Sequence, residues 1–156
     1  MKKYLLYLAL LVVIVASYAY WLKISGEDGV VVKVIDGDTF ELVGGRRVRL
    51  IGIDAPEKGE CYYTESSQYL SKLIEGKSVV LIEDQEKTDR FGRSLYYVYL
   101  DDVFINEKMA WEGAVVVKKY PPNTMMQLTL ERAEEESKKS NLGLWGKCPQ
   151  KGASIQ

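Results

Sequence analysis

The stretch VVVKVIDGDTFELVGGRRVRLIGIDAPE, residues 30–57, decides the architecture of the chain. Three apolar or alternating runs, residues 30–35, 39–43 and 46–53, are separated by Asp36-Gly37 and Gly44-Gly45, dipeptides that tolerate positive φ and so turn a hairpin. The pattern predicts a three-stranded meander. Its two short hairpins bring Asp38, just after the first turn, and Asp54, just after the third strand, to the same end of the sheet. If Gly44-Gly45 is a two-residue turn, Phe40 faces Arg49 and Asp38 lies diagonally from Arg49 on one face; a bulge shifts this pairing by one residue.

Two carboxylates brought together repel unless a cation sits between them, and the hard-ligand option is Ca²⁺ held by carboxylates, a main-chain carbonyl and water. Asp36 reads as turn chemistry. Glu57 follows Pro56, which cannot extend a strand ladder, so it stands on a turn beside the two acids, where it can serve as a general base or simply be solvated. Asp89-Arg90-Phe91-Gly92-Arg93 forms a second turn, entering a Tyr-rich strand, and Arg93 can present a planar fork to a phosphate.

Beyond this core, residues 64–74 place Leu70, Leu73 and Ile74 at helical spacing and stop at Gly76, residues 79–82 and 94–100 read as strands, and residues 105–111 and 125–139 read as helices. Five strands, placed mostly before the helices, predict a mainly β (α+β) domain built on a small closed Greek-key barrel. The chain has 156 residues, 47% apolar and 28% charged, the composition of one globular domain. It contains no histidine and two cysteines, which excludes triads with a His base, His-ligated zinc and four-Cys zinc sites. Any catalysis must therefore rest on carboxylates, Arg, Lys, Tyr, hydroxyls or an oxygen-ligated metal.

Met1-Lys2-Lys3 precedes an uncharged run, residues 4–22, long enough as a helix to span a bilayer. It reads as a membrane anchor (residues 1–23) or, with Ser17-Tyr18-Ala19 as a small-residue cleavage site, as a signal peptide. Residues 24–28 read as a linker, residues 29–146 as the folded domain and residues 147–156 as a tail. Either reading places the domain outside the cytoplasm. Without Lys2, Lys3 and Lys23, 18 basic and 22 acidic side chains remain, which argues against a nonspecific coat on polyanions.

Residues 36–39, 49–57 and 89–93, in this order, resemble the staphylococcal nuclease (thermonuclease) family, and the similarity runs from about Val30 to Trp145. The resemblance implies a five-stranded OB-fold barrel with about three helices and a Ca²⁺-dependent phosphodiesterase that cuts DNA and RNA to leave 3′-phosphate ends. It makes Asp38, Asp54 and the carbonyl of Ala55 calcium ligands, Arg49 and Arg93 the phosphate-binding pair, and Glu57 the general base. Where family members carry nucleotide-contacting tyrosines, this chain offers Arg90, Phe91, Lys118, Lys119 and Tyr120. The loop between Glu57 and the first helix is short, and Tyr62 and Tyr63 beside it are expected to pack on the barrel rather than stack on bases. Cys61 and Cys148 form an even pair in an exported chain and resemble a disulfide of exported relatives, the alternative being two free thiols. A monomer is expected, with nucleic acid as substrate and the membrane as a second partner through the N-terminus. The rival reading is a catalytically silent OB-fold module that binds nucleic acid or protein; modules of that kind typically lose the acidic and arginine set that is intact here.

Overall fold

The computed structural model describes residues 27–149, together with Tyr7 and residues 10–13, which are helical and exposed. Most of the anchor or signal segment, the start of the linker and most of the tail lie outside the described residues. Among the described residues no helix is long and apolar enough to cross a membrane.

From Glu27 on, the described residues form eight strands and four helices in the order β1 (Glu27–Val34), β2 (Thr39–Leu42), β3 (Arg47–Leu50), β4 (Ile53–Asp54), α1 (Tyr63–Ile74), β5 (Ser78–Ile82), β6 (Ser94–Leu100), β7 (Val103–Phe104), α2 (Ile105–Trp111), β8 (Val116–Val117), α3 (Gln127–Lys139) and α4 (Leu144–Lys147). The main sheet runs β3-β2-β1-β5-β6-β7, and a parallel pairing of β3 with β6 closes it into a five-stranded barrel of the OB type. β1 serves two neighbours: its first half pairs with β5, and from Val31 on it pairs with β2, across a register shift between Val31 and Lys33. Such a bulge lets one strand bend around a barrel corner. Phe40, Val48, Leu50, Leu81 and Tyr97 fill the interior, and Leu70 and Ile74 of α1 close one side of it.

Three expectations need correction. The first concerns the β2–β3 register, where Phe40 lies opposite Val48 and Thr39 opposite Arg49. The connection has three residues, Val43, Gly44 and Gly45, because Leu42 N–H already reaches the Arg46 carbonyl at 2.9 Å. This register puts two core side chains, Phe40 and Val48, together on the inner face, whereas a two-residue turn would have set Phe40 against a guanidinium. The second is that residues 46–53 are not one strand. The chain turns at Ile51-Gly52, where Gly52 takes φ +80° and a Cβ would run into Leu130 Cδ1, and β4 then pairs with β8 instead. Third, a short helix, α4, joins the three expected, and β1 begins at Glu27, inside the stretch read as a linker.

Buried Asn106 on α2 fixes the Ile51 turn. Its side-chain amide donates to the Ile51 carbonyl at 2.8 Å, and its oxygen accepts from Val98 N–H at 2.9 Å. That ties the turn leading to Asp54 to β6, the strand that closes the barrel against β3.

Candidate active site

The end of the barrel where β2, β3 and β4 meet collects the charged residues. A tight turn enters β2: Ile35 N–H and Asp36 N–H both donate to the Thr39 carbonyl, and Asp38 N–H donates to Asp36 Oδ1 at 3.1 Å. Asp38 points inward with 5% of its surface exposed. Its carboxylate accepts from Ala55 N–H at 2.6 Å and from Thr39 Oγ1 at 2.8 Å, and it pairs with one terminal nitrogen of Arg49. The other terminal nitrogen of Arg49 binds Asp54 Oδ1 at 2.6 Å. The cation demanded by two converging acids is thus a residue of the chain, Arg49, itself only 8% exposed.

Gly37 lets this turn sit against α1. A Cβ there would lie 2.8 Å from Ala55 Cβ and 2.9 Å from Ser66 Cβ, closer than packed carbons approach. Gly37→Ala is therefore expected to destabilise the fold by roughly 1–3 kcal/mol through overpacking, read as a lower denaturant midpoint at unchanged slope.

The second wall is the turn before β6. Asp89 Oδ1 accepts from Phe91 N–H at 2.9 Å and Arg93 N–H at 3.0 Å, and Asp89 Oδ2 accepts from Arg93 Nε at 2.6 Å. Partial burial acts to raise the Asp89 carboxyl, but these bonds, with the Arg93 charge, hold it below the usual carboxylate range. Arg93 is oriented rather than free, and its Nη1 reaches Thr39 Oγ1 at 3.4 Å. Thr39 thereby links the Arg93 side to Asp38. Sequence reasoning missed Asp89 and Thr39 as organisers; the signal was available in an Asp four residues before an Arg across a Gly turn.

Between these walls lies a cleft of about 710 Å³, lined by Asp36, Asp38, Arg49, Asp54, Ala55, Glu57, Arg90, Phe91, Arg93, Lys118 and Tyr120 among others. Asp36, read only as a turn residue, also faces it. Burial pushes its carboxyl up, an effect partly offset by Thr39, Arg49 and Arg93. Glu57 is exposed at the rim, on a turn closed by Glu57 N–H to Glu60 Oε2 at 2.9 Å and Glu60 N–H to the Glu57 carbonyl at 2.8 Å. Lys118 Nζ lies 3.1 Å from Asp54 Oδ2, a bond that raises the lysine's pKa, and the Tyr120 hydroxyl stands at hydrogen-bond limit, 3.5 Å from Asp54 Oδ1. Lys119 is exposed and does not line the cleft. Tyr62 packs against the core cluster, in line with the burial expected for it.

The donor chemistry suits a hard dication. Asp38 and Asp54 converge on one guanidinium, and Ala55, bonded through its N–H to Asp38, could add a carbonyl. Among the described residues no three acidic, His or Cys side chains come close enough to cage an ion alone. A cation here would draw on two carboxylates, main chain and water, a mixture Ca²⁺ accepts.

The disulfide is present. Cys61, just before α1, is bonded to Cys148 at the end of α4, with their Cα atoms 5.8 Å apart.

Comparison with known proteins agrees with this geometry. The chain is 37% identical over 131 residues to the thermonuclease of Staphylococcus intermedius, covering 78% of each chain. It is 35% identical over 124 residues to the thermonuclease of Staphylococcus hyicus, covering 74% of this chain and 73% of the relative. An uncharacterized endonuclease of Escherichia coli O157:H7 is 36% identical over 122 residues, covering 75% of this chain and 76% of the relative. Residues 47–147, which hold β3, the Arg93 turn and all four helices, match the sequence profile described as Staphylococcal nuclease homologue, and the chain belongs to that family.

Proposed function

We propose that the protein is a nuclease: a Ca²⁺-dependent phosphodiesterase that hydrolyses DNA, RNA or both and leaves 3′-phosphate ends. The observation that carries this reading is the single cleft in which Arg49, paired to Asp38 and Asp54, faces the same space as Arg93 and Glu57. A phosphodiester gains negative charge on its equatorial oxygens as the fifth oxygen adds. Two guanidinium groups meet that charge: Arg93, oriented by Asp89, and Arg49, whose fork must turn from Asp38 and Asp54 to the phosphate. Glu57 accepts a proton from the attacking water, whose oxygen bonds to phosphorus while the bond to the 5′ oxygen breaks and that oxygen takes a proton from solvent. The strand then ends in a 3′-phosphate and a 5′-hydroxyl. Ca²⁺ held by Asp38, Asp54 and the Ala55 carbonyl would supply further neutralisation of phosphate charge. Loading that site competes with the Arg49 bridge seen between the two carboxylates, which would release the fork toward substrate.

The apolar N-terminal run and the disulfide, a bond of oxidising compartments, support action outside the cytoplasm. The test is cleavage of DNA and RNA with Ca²⁺ or chelator, with end-group analysis of the products. Glu57→Gln is expected to lower turnover by about a hundredfold or more while Ca²⁺ affinity changes little. Near wild-type turnover of that variant, or activity undiminished in chelator, would overturn the assignment.

A further inference from the structure

A second groove of about 480 Å³ opens beside the cleft. One wall is the tip of the β2–β3 hairpin with Arg46 and Arg47; the other is the turn of Phe91 and Arg93. Glu57, Phe91 and Arg93 line both spaces, so the groove continues the cleft across a shared lip. Strand pleating explains the layout. On β3, Val48 and Leu50 face the core, so Arg47 and Arg49 project from the same outer face, one pleat repeat apart. The parallel register pairs Val48 with Ser94, which carries Arg93 alongside Arg47.

From this we infer that the groove is an extended binding site for a single nucleic-acid strand, holding nucleotides beyond the one cut in the cleft. The inference rests on the nuclease reading for the scissile position, but the groove's own chemistry argues for its occupant. Arg46, Arg47 and Arg93 line the groove on a chain whose formal net charge is −1, so the basic character is local, with Glu57 at the lip and Glu41, 4.0 Å from Arg47, as nearby acids. Arg47 keeps 64% of its side chain exposed despite that contact. Arg46 is held in place over the Tyr96 ring, 5.7 Å from its centroid. Phe91 at the lip is 68% exposed and flanked by Arg90 at 4.7 Å and Arg93 at 5.4 Å from its centroid. An exposed ring between guanidinium groups is a platform for an unpaired base, with the strand's phosphates on the arginines. A base stacked between its neighbours inside a duplex has no free face to offer it, which selects single strands.

The experiment measures binding of a fluorescein-labelled 12-nucleotide single strand and of a trinucleotide to the full chain, in chelator and in the Glu57→Gln background, by anisotropy; KM is measured for the same pair where cleavage occurs. Arg46→Ala with Arg47→Ala is expected to weaken the 12-mer about tenfold and the trinucleotide less than twofold, and to reduce the slope of log affinity against log salt by about 1 to 1.5. Arg47→Glu alone, at an exposed position that carries no packing, should weaken the 12-mer at least as much. Lys138→Ala with Lys139→Ala removes equal charge from α3 and should change neither. Equal weakening of 12-mer and trinucleotide, or an unchanged 12-mer, would overturn the inference. If no substrate is cut but the 12-mer still binds in an Arg47-dependent way, the nuclease reading fails and the groove stands.

Discussion

Arg49→Lys is expected to lower kcat by about 10²–10³, the effect of losing one preorganised donor at an oxyanion. Arg49 is a buried bridge: one nitrogen serves Asp38 and the other serves Asp54. Lysine keeps the charge but concentrates it at one point, so it can satisfy one carboxylate and present no planar fork to a phosphate. Asp38, 5% exposed, takes the nearer partner because an unpaired buried carboxylate is expensive. Asp54 then retains Lys118 alone, at 3.1 Å, and Tyr120 at the limit of contact. A fall in thermal stability is expected alongside, so turnover is measured well below the melting temperature. Arg93→Lys provides the contrast. Arg93 pairs with Asp89 in an outer turn and reaches inward only through a long contact to Thr39 Oγ1 at 3.4 Å, so it should lose turnover comparably with little change in melting. The phosphate role of the pair is wrong if both lysine variants keep turnover within a few-fold of wild type at saturating substrate.

The meander that positions these groups was legible because hairpin dipeptides and apolar alternation are local signals. Asp38, Arg49 and Asp54 could be placed at one end of the sheet from strand lengths alone. Register was not legible, since a Gly-Gly pair tolerates the positive φ of either a two-residue or a three-residue connection, and here both glycines take it in the longer one. What chose between them was the burial of Phe40 against Val48, a tertiary term. The break of the third run at Gly52 was hidden for a similar reason, as its φ of +80° belongs to a turn made by the tertiary pairing of β4 with β8, and the space beside it is taken by Leu130 of α3, far along the chain. Roles such as those of Asp89 and Thr39 depend on side-chain aim across two turns. Residue type and spacing named the ingredients of the cleft, and only the parallel β3–β6 closure showed that Arg93 stands beside them.

Removing the disulfide with Cys61→Ala and Cys148→Ala is expected to destabilise the domain by roughly 4–5 kcal/mol on the chain-entropy account, because the bond spans a sequence separation of 87 residues. That is a large share of the stability of any single domain of this size. The bond joins the start of α1 to the chain's last described helix. Cys61 follows an exposed turn and precedes α1, which has no side-chain N-cap, and Cys148 ends a helix of one turn. The urea midpoint should accordingly fall by about 2 M or more at ordinary slopes, and reductant added to the wild type should reproduce the shift. Turnover per folded molecule should hold nearly constant, since the Glu57 turn is closed by its own bonds to Glu60 and neither sulfur lines the cleft. A drop in turnover without a drop in stability would instead mean that the bond's work is to hold Glu57. A midpoint unchanged within error would mean that α4 and the turn before α1 are fixed by packing alone.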